Sequence, residues 1–403
     1  MNIGIDVRPL MTTRTGVGEY TYELLNAVFA LDKENQYFLF YNSYEDVSKN
    51  IPVWKQDNIH YITTRWPNKL FNASLKILGR PRLDCLVRRL WTLDFGLKHK
   101  LEEEAKDQSL KSKVRLDLWF SPNLNFTPLS KKVRHLLTIH DLSFEFFPEF
   151  FSLKQRLWHQ VINPKKQCRS AQMIIVPSQN TKRDLMDYYK IPAEKITVLY
   201  PGLSTIFDNK DTTHREEIKQ KYSLPKKFIL FLGTIEPRKN IPGLIKAFEK
   251  AYYQLPADYY LVIAGGDGWK TKKIYEELKK SPLREKIKFI GYVEPLHKPT
   301  LYSLASVFVY PSFYEGFGFP VLEAMASGTP TITSNRSSLV EITENASFLI
   351  DPNHPDSLAK GLVIVLNNEN LRKKLVENGL KRALNFKWDD ATKKWLEIIM
   401  QKI

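Results

Sequence analysis

The chain has 403 residues, 43% hydrophobic and 26% charged, with 60 Lys and Arg against 44 Asp and Glu for a formal net charge of +16. That length exceeds one compact domain and suits two or three, and the composition excludes the disordered and collagen-like classes. Two cysteines, Cys85 and Cys168, are too few for a disulfide scaffold and stand in no metal-ligand spacing, and no run of about 18 apolar residues marks a spanning helix.

The opening MNIGIDVRPL lacks the basic and apolar regions of a signal peptide, so a basic, multi-domain, cytoplasmic protein is expected. Its surplus charge can face nucleic acid, a membrane surface or a phosphorylated small molecule. Ile3, Ile5 and Val7 alternate with small or polar residues, a short strand pattern. The glycine loop TRTGVGEY (13–20) leads into the apolar-periodic YTYELLNAVFAL, and strand, glycine turn, helix opens a nucleotide-fold unit. Further strand-like runs lie at 37–41, 117–121, 135–140 and 173–178, the last followed by a helix with Ser178 as cap.

After the turn-rich segment 200–211 a second series begins, with strands at 228–233, 259–266, 287–291, 307–312 and 330–334. Helical patterns separate them at 241–254, 271–280, 298–304 and 320–327. Two such series joined by a Pro/Gly hinge imply two parallel-sheet domains facing a cleft. The tail NFKWDDATKKWLEIIMQKI reads as a final amphipathic helix.

The most informative segment is YPSFYEGFGFPVLEAMASGTPTITS (310–334). A strand ends at Ser312, a glycine loop follows, Pro320 suits the first turn of a helix, and Gly328 suits its left-handed end. A helix start fed by Gly316 and Gly318 offers amides and a positive dipole end, an anion site. Glu315 in the loop can reach sugar hydroxyls, and Glu323, one turn inside the helix, a ribose further back. A plain strand-to-helix turn with a capping acid has the same spacing.

Glu, seven residues, Glu, set in EGFGFPVLEAMASGTP, resembles the signature of the retaining glycosyltransferases of family 4. The likeness covers essentially the whole chain, and GIDVRPL followed by TGVGEYTYELL is similar to bacterial mannosyltransferase-B-like members. It implies the α/β GT-B fold of two Rossmann-like domains with a C-terminal crossover helix. It implies that Glu315 binds donor-sugar hydroxyls and Glu323 the nucleoside ribose, with the backbone of Gly316, Phe317, Gly318 and Phe319 near sugar and phosphate.

Arg238 and Lys239 follow a strand end in FLGTIEPRKNIPGLIKAF, where adjacent cations can clamp a diphosphate and offset charge on a leaving group. A solvated pair before a helix is the alternative; the resemblance favours the diphosphate. Gly16 and Gly18 permit close backbone approach or merely a tight turn, and the resemblance puts their loop across the cleft from the donor phosphates. His140 and Asp141 stand at a strand's C-terminal end, where open α/β sheets place their sites. The resemblance sets His140 beside the donor sugar, against the alternative of a strand-end histidine fixed by its neighbouring acid. Phe144, Phe146, Phe147, Phe150 and Phe151 read as interdomain packing or an acceptor wall. The loops AGGDGW (264–269) and GYVEP (291–295) border the base by resemblance, though their glycines equally suit packing. The remaining histidines, including His60, His99, His214 and His354, show no ligand spacing, and the sequence has no Asp-x-Asp, so no metal or other cofactor is expected.

Charge is concentrated at 65–100, where Arg65, Lys69, Lys76, Arg80, Arg82, Arg88, Arg89, Lys98 and Lys100 meet only Asp84 and Asp94. Leucines, Trp66, Phe71, Trp91 and Phe95 interleave with them, the composition of a helix on an anionic bilayer or of helices packed on the first domain with solvated charge. No nucleic-acid module accompanies it.

The expected organisation is an acceptor domain at 1–203, a donor domain at 204–385 and a tail helix at 386–403 crossing back onto the first. The expected reaction moves a hexose, mannose from GDP-mannose by resemblance, from a nucleoside-diphosphate sugar to a hydroxyl of a glycan or lipid-linked glycan in cell-surface polysaccharide synthesis. The enzyme would work on the inner face of the plasma membrane. A UDP-sugar enzyme, a nucleotide-sugar epimerase or phosphorylase, and a non-enzymatic basic membrane-surface protein are the alternatives.

Overall fold

The computed structural model describes residues 1–12, 16–100, 115–208 and 215–401, with the side chains of all these except 93–100. Three residues of the first glycine loop (13–15), part of the hinge (209–211) and His214 therefore lie outside the described residues, as do the side chains of Asp94, Phe95, Lys98, His99 and Lys100.

The first sheet holds β1 (Asn2–Asp6), β2 (Gln36–Asn42), β3 (Ile59–Thr64), β4 (Leu118–Ser121), β5 (Arg134–Thr138), β6 (Met173–Val176) and β7 (Ile196–Val198). Their order is β3-β2-β1-β4-β5-β6-β7, and every pairing is parallel. The second sheet holds β8 (Phe228–Leu232), β9 (Tyr260–Ala264), β10 (Ile287–Gly291), β11 (Val307–Tyr310), β12 (Thr331–Ser334) and β13 (Phe348–Ile350). It is also parallel, in the order β10-β9-β8-β11-β12-β13. Central strands such as FILFL and VFVY are buried at every position, because helices cover both faces of each sheet.

Strand order reverses beside β1 in the first sheet and beside β8 in the second. Loops leaving the strands on either side of such a point diverge and open a crevice at the carboxyl ends of the strands. In the second domain those loops follow β8 and β11, which are hydrogen-bonded neighbours with Ile229 opposite Val307. Arg238 and Glu315, 77 residues apart in the chain, are thereby placed side by side.

The tail forms the helix Trp388–Met400. Trp388, Ala391, Trp395, Ile398 and Ile399 recur at helical spacing, and all enter the core of the first domain with Leu24, Leu25 and Phe29. Arg134 at the start of β5 donates to the carbonyls of Ile399 (3.2 Å) and Gln401 (2.8 Å), satisfying acceptors that a helix end leaves free.

The aromatic run after β5 packs between the domains. Phe150 stacks on Phe313 at 5.4 Å and Phe151 on Trp269 at 5.7 Å, while Trp269 Nε1 donates to the Phe150 carbonyl at 2.7 Å. On the other side Glu341 of the second domain caps the first-domain helix Gln179–Tyr189. Its two carboxylate oxygens accept from the amides of Gln179 and Asn180 at 2.6 and 3.0 Å, and Tyr200 donates to it at 2.8 Å. A carboxylate at a helix N-terminus meets both orphan amides and the positive dipole end. Ser178 caps the same helix from within, accepting from the Thr181 amide at 3.1 Å.

The segment 65–100 forms the helices Asn68–Ile77 and Leu83–Lys100. Phe71, Leu75, Leu83 and Val87 enter the core, whereas Trp66, Leu70, Ile77 and Leu78 are exposed among the basic residues. Among the described residues no helix is long and apolar enough to cross a membrane.

Candidate active site

The loop after β8 tightens into a short turn over Pro237–Lys239 and enters the helix Ile241–Ala251 through Asn240 in the left-handed region. The Phe313 amide, just past β11, donates to the Arg238 carbonyl at 3.0 Å and ties the two strand-end loops together. This brings Arg238, Lys239 and Glu315 into one cluster. Arg238 Nη1 lies 2.7 Å from Glu315 Oε2 and Lys239 Nζ 2.6 Å from Glu315 Oε1, with Lys239 and Glu315 each only 6% exposed. Arg238 also bonds Glu236 at 2.8 Å and the Tyr314 carbonyl at 2.9 Å, and Lys239 bonds the Tyr310 hydroxyl at 2.6 Å. Residues read from the sequence as a sugar ligand and a diphosphate clamp thus form a single charged unit.

Burial alone would raise the Glu315 carboxyl, but Arg238 and Lys239 outweigh it and hold the group down at about 2, against an ordinary 4.5. The Lys239 ammonium is lowered by burial and by adjoining Arg238. Because Glu315 is more acidic folded than unfolded, its contribution to stability is complete above pH 4.5 and fades as pH falls toward 2. The shift corresponds to about 3 kcal/mol. Acid titration followed by circular dichroism should show the wild type losing stability across that interval and Glu315→Gln losing less; parallel curves would deny the pairing.

Backbone contacts fix where Glu315 points. Its amide donates to Ser337 Oγ at 2.9 Å, and Ser338 Oγ lies 2.8 Å from the carbonyls of both Glu315 and Phe317. Gly318 has φ +114°, a conformation L side chains rarely adopt, and it turns the chain into the helix Phe319–Ala326 with Pro320 in the first turn. Gly316, Phe317 and Gly318 are buried and Phe319 is half-buried, so the loop is lodged between the domains. Glu323 points to a different place. It accepts from the Tyr302 hydroxyl at 2.8 Å and faces Lys298 Nζ at 3.4 Å. Attraction to Glu323 raises the Lys298 ammonium despite burial.

His140 follows β5 and comes from the opposite domain. Its Nε2 lies 2.8 Å from the Pro122 carbonyl, and a carbonyl only accepts, so Nε2 carries the proton and Nδ1 remains the ring's acceptor. Burial lowers the ring's pKa and keeps it neutral. The ring of Tyr20 meets it edge-on at 4.8 Å. The His140 carbonyl oxygen abuts Gly316, where an added Cβ would stand 2.0 Å from it. Gly16 is exposed with φ +48° just before the helix Val17–Leu31, and Gly18 is buried in that helix's first turn. Gly265 is a packing glycine, since a Cβ there would meet the Gly233 carbonyl at 2.0 Å, whereas Gly266 has open space.

Sequence reasoning missed Glu236, Tyr302, Tyr310, Lys298, Ser337 and Ser338. Glu236 stands two residues before Arg238, a signal that was present. The others come from separate strands and helices, and nothing local announces them.

Two Rossmann-like parallel-sheet domains, each matching a glycosyltransferase domain, make the chain a GT-B glycosyltransferase. The chain carries a Glycosyltransferase Family 4 domain at residues 55–206 and a Glycosyl transferases group 1 domain at 214–382. It is 27% identical over 393 residues to the O-antigen chain mannosyltransferase B of Escherichia coli, covering 97% of each chain. Its fold is similar to that of sucrose-phosphate synthase from Thermosynechococcus elongatus, with a TM-score of 0.71, 19% identity and 99% and 98% of the two chains covered. The Anabaena protein HepE, solved in complex with UDP-glucose, has a TM-score of 0.67 at 16% identity, with 99% of both chains covered.

Proposed function

We propose that the protein is a retaining, metal-independent hexosyltransferase that moves mannose from GDP-mannose to a hydroxyl of a glycan or lipid-linked glycan in cell-surface polysaccharide synthesis. Residues 1–203 hold the acceptor and 204–385 the donor, while the tail from 386 braces the first domain. The observation that carries this reading is the Glu315, Arg238 and Lys239 cluster at the crevice between β8 and β11. The similarity to a mannosyltransferase along nearly the whole chain supports the choice of sugar.

In this reading the donor diphosphate lies against Arg238 and Lys239, whose charges offset the negative charge that grows as the bond from the sugar C1 to phosphate breaks. Glu315 accepts from sugar hydroxyls and sets the angle of the ring, and Glu323 accepts from the ribose. The amides of Gly316 to Phe319 meet sugar and phosphate, with the Gly16–Gly18 loop facing them from the other domain. His140, neutral and with Nδ1 as acceptor, lines the reacting centre by holding a sugar hydroxyl. The acceptor oxygen forms its bond to C1 on the face the diphosphate leaves, and a phosphate oxygen takes the acceptor's proton. No side-chain nucleophile is required.

The basic helices at 65–100 present Leu70 and Ile77, 66% and 75% exposed, beside Lys69 and Lys76, and this supports attachment to an anionic membrane face where lipid-linked acceptors reside. A donor screen tests the main reading. GDP-mannose should give acceptor-dependent release of GDP and a product retaining the anomeric configuration. Turnover with UDP-hexoses only would overturn the donor, and sugar interconversion without acceptor would overturn transfer.

A further inference from the structure

Far from the crevice, the first domain has a second concavity. A cavity of about 440 Å³ is lined by Arg82, Arg88, Arg115, Lys131 and Lys132, with Asp84, Cys85, Leu116, Ser130 and Val133 completing its wall. It opens at the amino ends of β4 and β5, since Leu116 lies two residues before β4 and Val133 immediately precedes β5. His140 lies beyond the other end of β5, about 20 Å of extended chain away.

Two hydrogen bonds build the cavity. The Leu83 amide, at the start of the helix Leu83–Lys100, donates to the Pro128 carbonyl at 2.9 Å, and the Ser130 amide donates to Asp84 Oδ1 at 2.9 Å. Asp84 is 93% buried in this role. Among the described residues, the one acid of the wall therefore serves the backbone. None of the five cations has an ion pair among the described residues, and all five are exposed. Five positive charges, unpaired among the described residues, around one concave space raise its local potential well above that of scattered surface lysines. Arg82 just before the helix, Arg88 within it, Arg115 before β4 and Lys131 and Lys132 before β5 bring guanidinium forks and ammonium point charges to one space, and both are recurrent phosphate ligands.

We propose that this cavity is a phosphate-binding site separate from the donor crevice, taking either the phosphodiester of an anionic lipid headgroup or a soluble phosphate. Exposed Leu70, Ile77 and Leu78, in and just after the helix Asn68–Ile77, would supply the apolar contact that a headgroup site needs. With a lipid as the source, the site would fix how the first domain sits on the membrane, which rests on the membrane attachment proposed above.

Cys85 provides a local reporter, because it is exposed in the cavity wall while Cys168, the only other cysteine, is buried. Its rate of modification by a neutral maleimide is measured on the full chain with phosphatidylglycerol vesicles, with phosphatidylcholine vesicles and with inorganic pyrophosphate. Protection of tenfold or more by phosphatidylglycerol alone supports the lipid source, and equal protection by pyrophosphate supports the soluble one. The protection ratio should fall to about one in Arg82→Glu/Arg88→Glu/Lys132→Glu, whose stabilisation by a nucleoside diphosphate should stay at the wild-type value. No protection by either anion, or protection that survives the charge reversal, overturns the site. Vesicle co-sedimentation that persists in the variant leaves surface attachment standing and still removes the cavity from it.

Discussion

Glu315→Gln should lower transfer by about 100- to 1000-fold while nucleoside diphosphate binds more tightly than to the wild type. The opposite signs follow from one arrangement. Glu315 neutralises Arg238 and Lys239 at 2.7 and 2.6 Å, so an incoming diphosphate competes with it for the same two cations. An amide of the same shape competes less and frees charge for the phosphate. It also loses the ionised acceptor that would hold the sugar hydroxyls, so the gain goes to the product nucleotide rather than to the transition state. Arg238 keeps Glu236 at 2.8 Å and Lys239 keeps the Tyr310 hydroxyl at 2.6 Å, so neither cation is left without a partner. Free protein should nevertheless melt earlier, because breaking a buried pair costs up to about 3–5 kcal/mol. Saturating nucleotide should restore more of that loss than it adds to the wild type. Calorimetric titration with GDP and initial rates on the same preparation decide the matter. Wild-type turnover would remove Glu315 from the reaction, and weaker GDP binding would mean the carboxylate orders the cations for phosphate rather than competing with it.

The alternation of apolar strands with helices was legible because parallel strands covered on both faces read as continuous apolar runs, as in FILFL and VFVY. β3, β7 and β13 were not. IHYITT carries polar residues on a sheet edge, and ITV and FLI are three residues each, too short to show a period. Within the site, Glu315 and Gly318 were legible through the strand, loop and helix in which they stand. That Glu315 would pair with Arg238 and Lys239 was not, because it depends on β8 and β11 being neighbours, a fact of sheet order that no local window holds. The same holds for Glu323, whose partners Tyr302 and Lys298 come from the preceding helix. Gly316 was read as a site of ligand approach, and the structure gives it a second neighbour, the backbone of the opposite domain.

That neighbour makes Gly316→Ala the sharpest test of closure. The added Cβ would stand 2.0 Å from the His140 carbonyl oxygen and 2.9 Å from the Asp141 Cβ. Neither obstacle is the end of a flexible side chain, so no change of rotamer relieves the overlap. Gly316 does not have the positive φ of Gly318, so alanine fits its backbone conformation and the conflict is confined to the approach of the two domains. The second domain should fold as before and keep its donor cluster, since Arg238, Lys239 and Glu315 lie wholly within it. The domains, held apart by one methyl group, should no longer bring His140 against a donor sugar seated at Glu315. A displacement of about 1 Å between reacting groups costs on the order of 100-fold. The variant should therefore keep most of its nucleoside diphosphate affinity through Arg238 and Lys239, losing only the share given by the Gly16–Gly18 loop, transfer at least 100-fold more slowly, and scatter with a larger radius of gyration than the wild type. Full activity in Gly316→Ala would mean that the contact with His140 is not needed for the reaction. Lost nucleotide affinity would place the damage in the donor loop rather than between the domains.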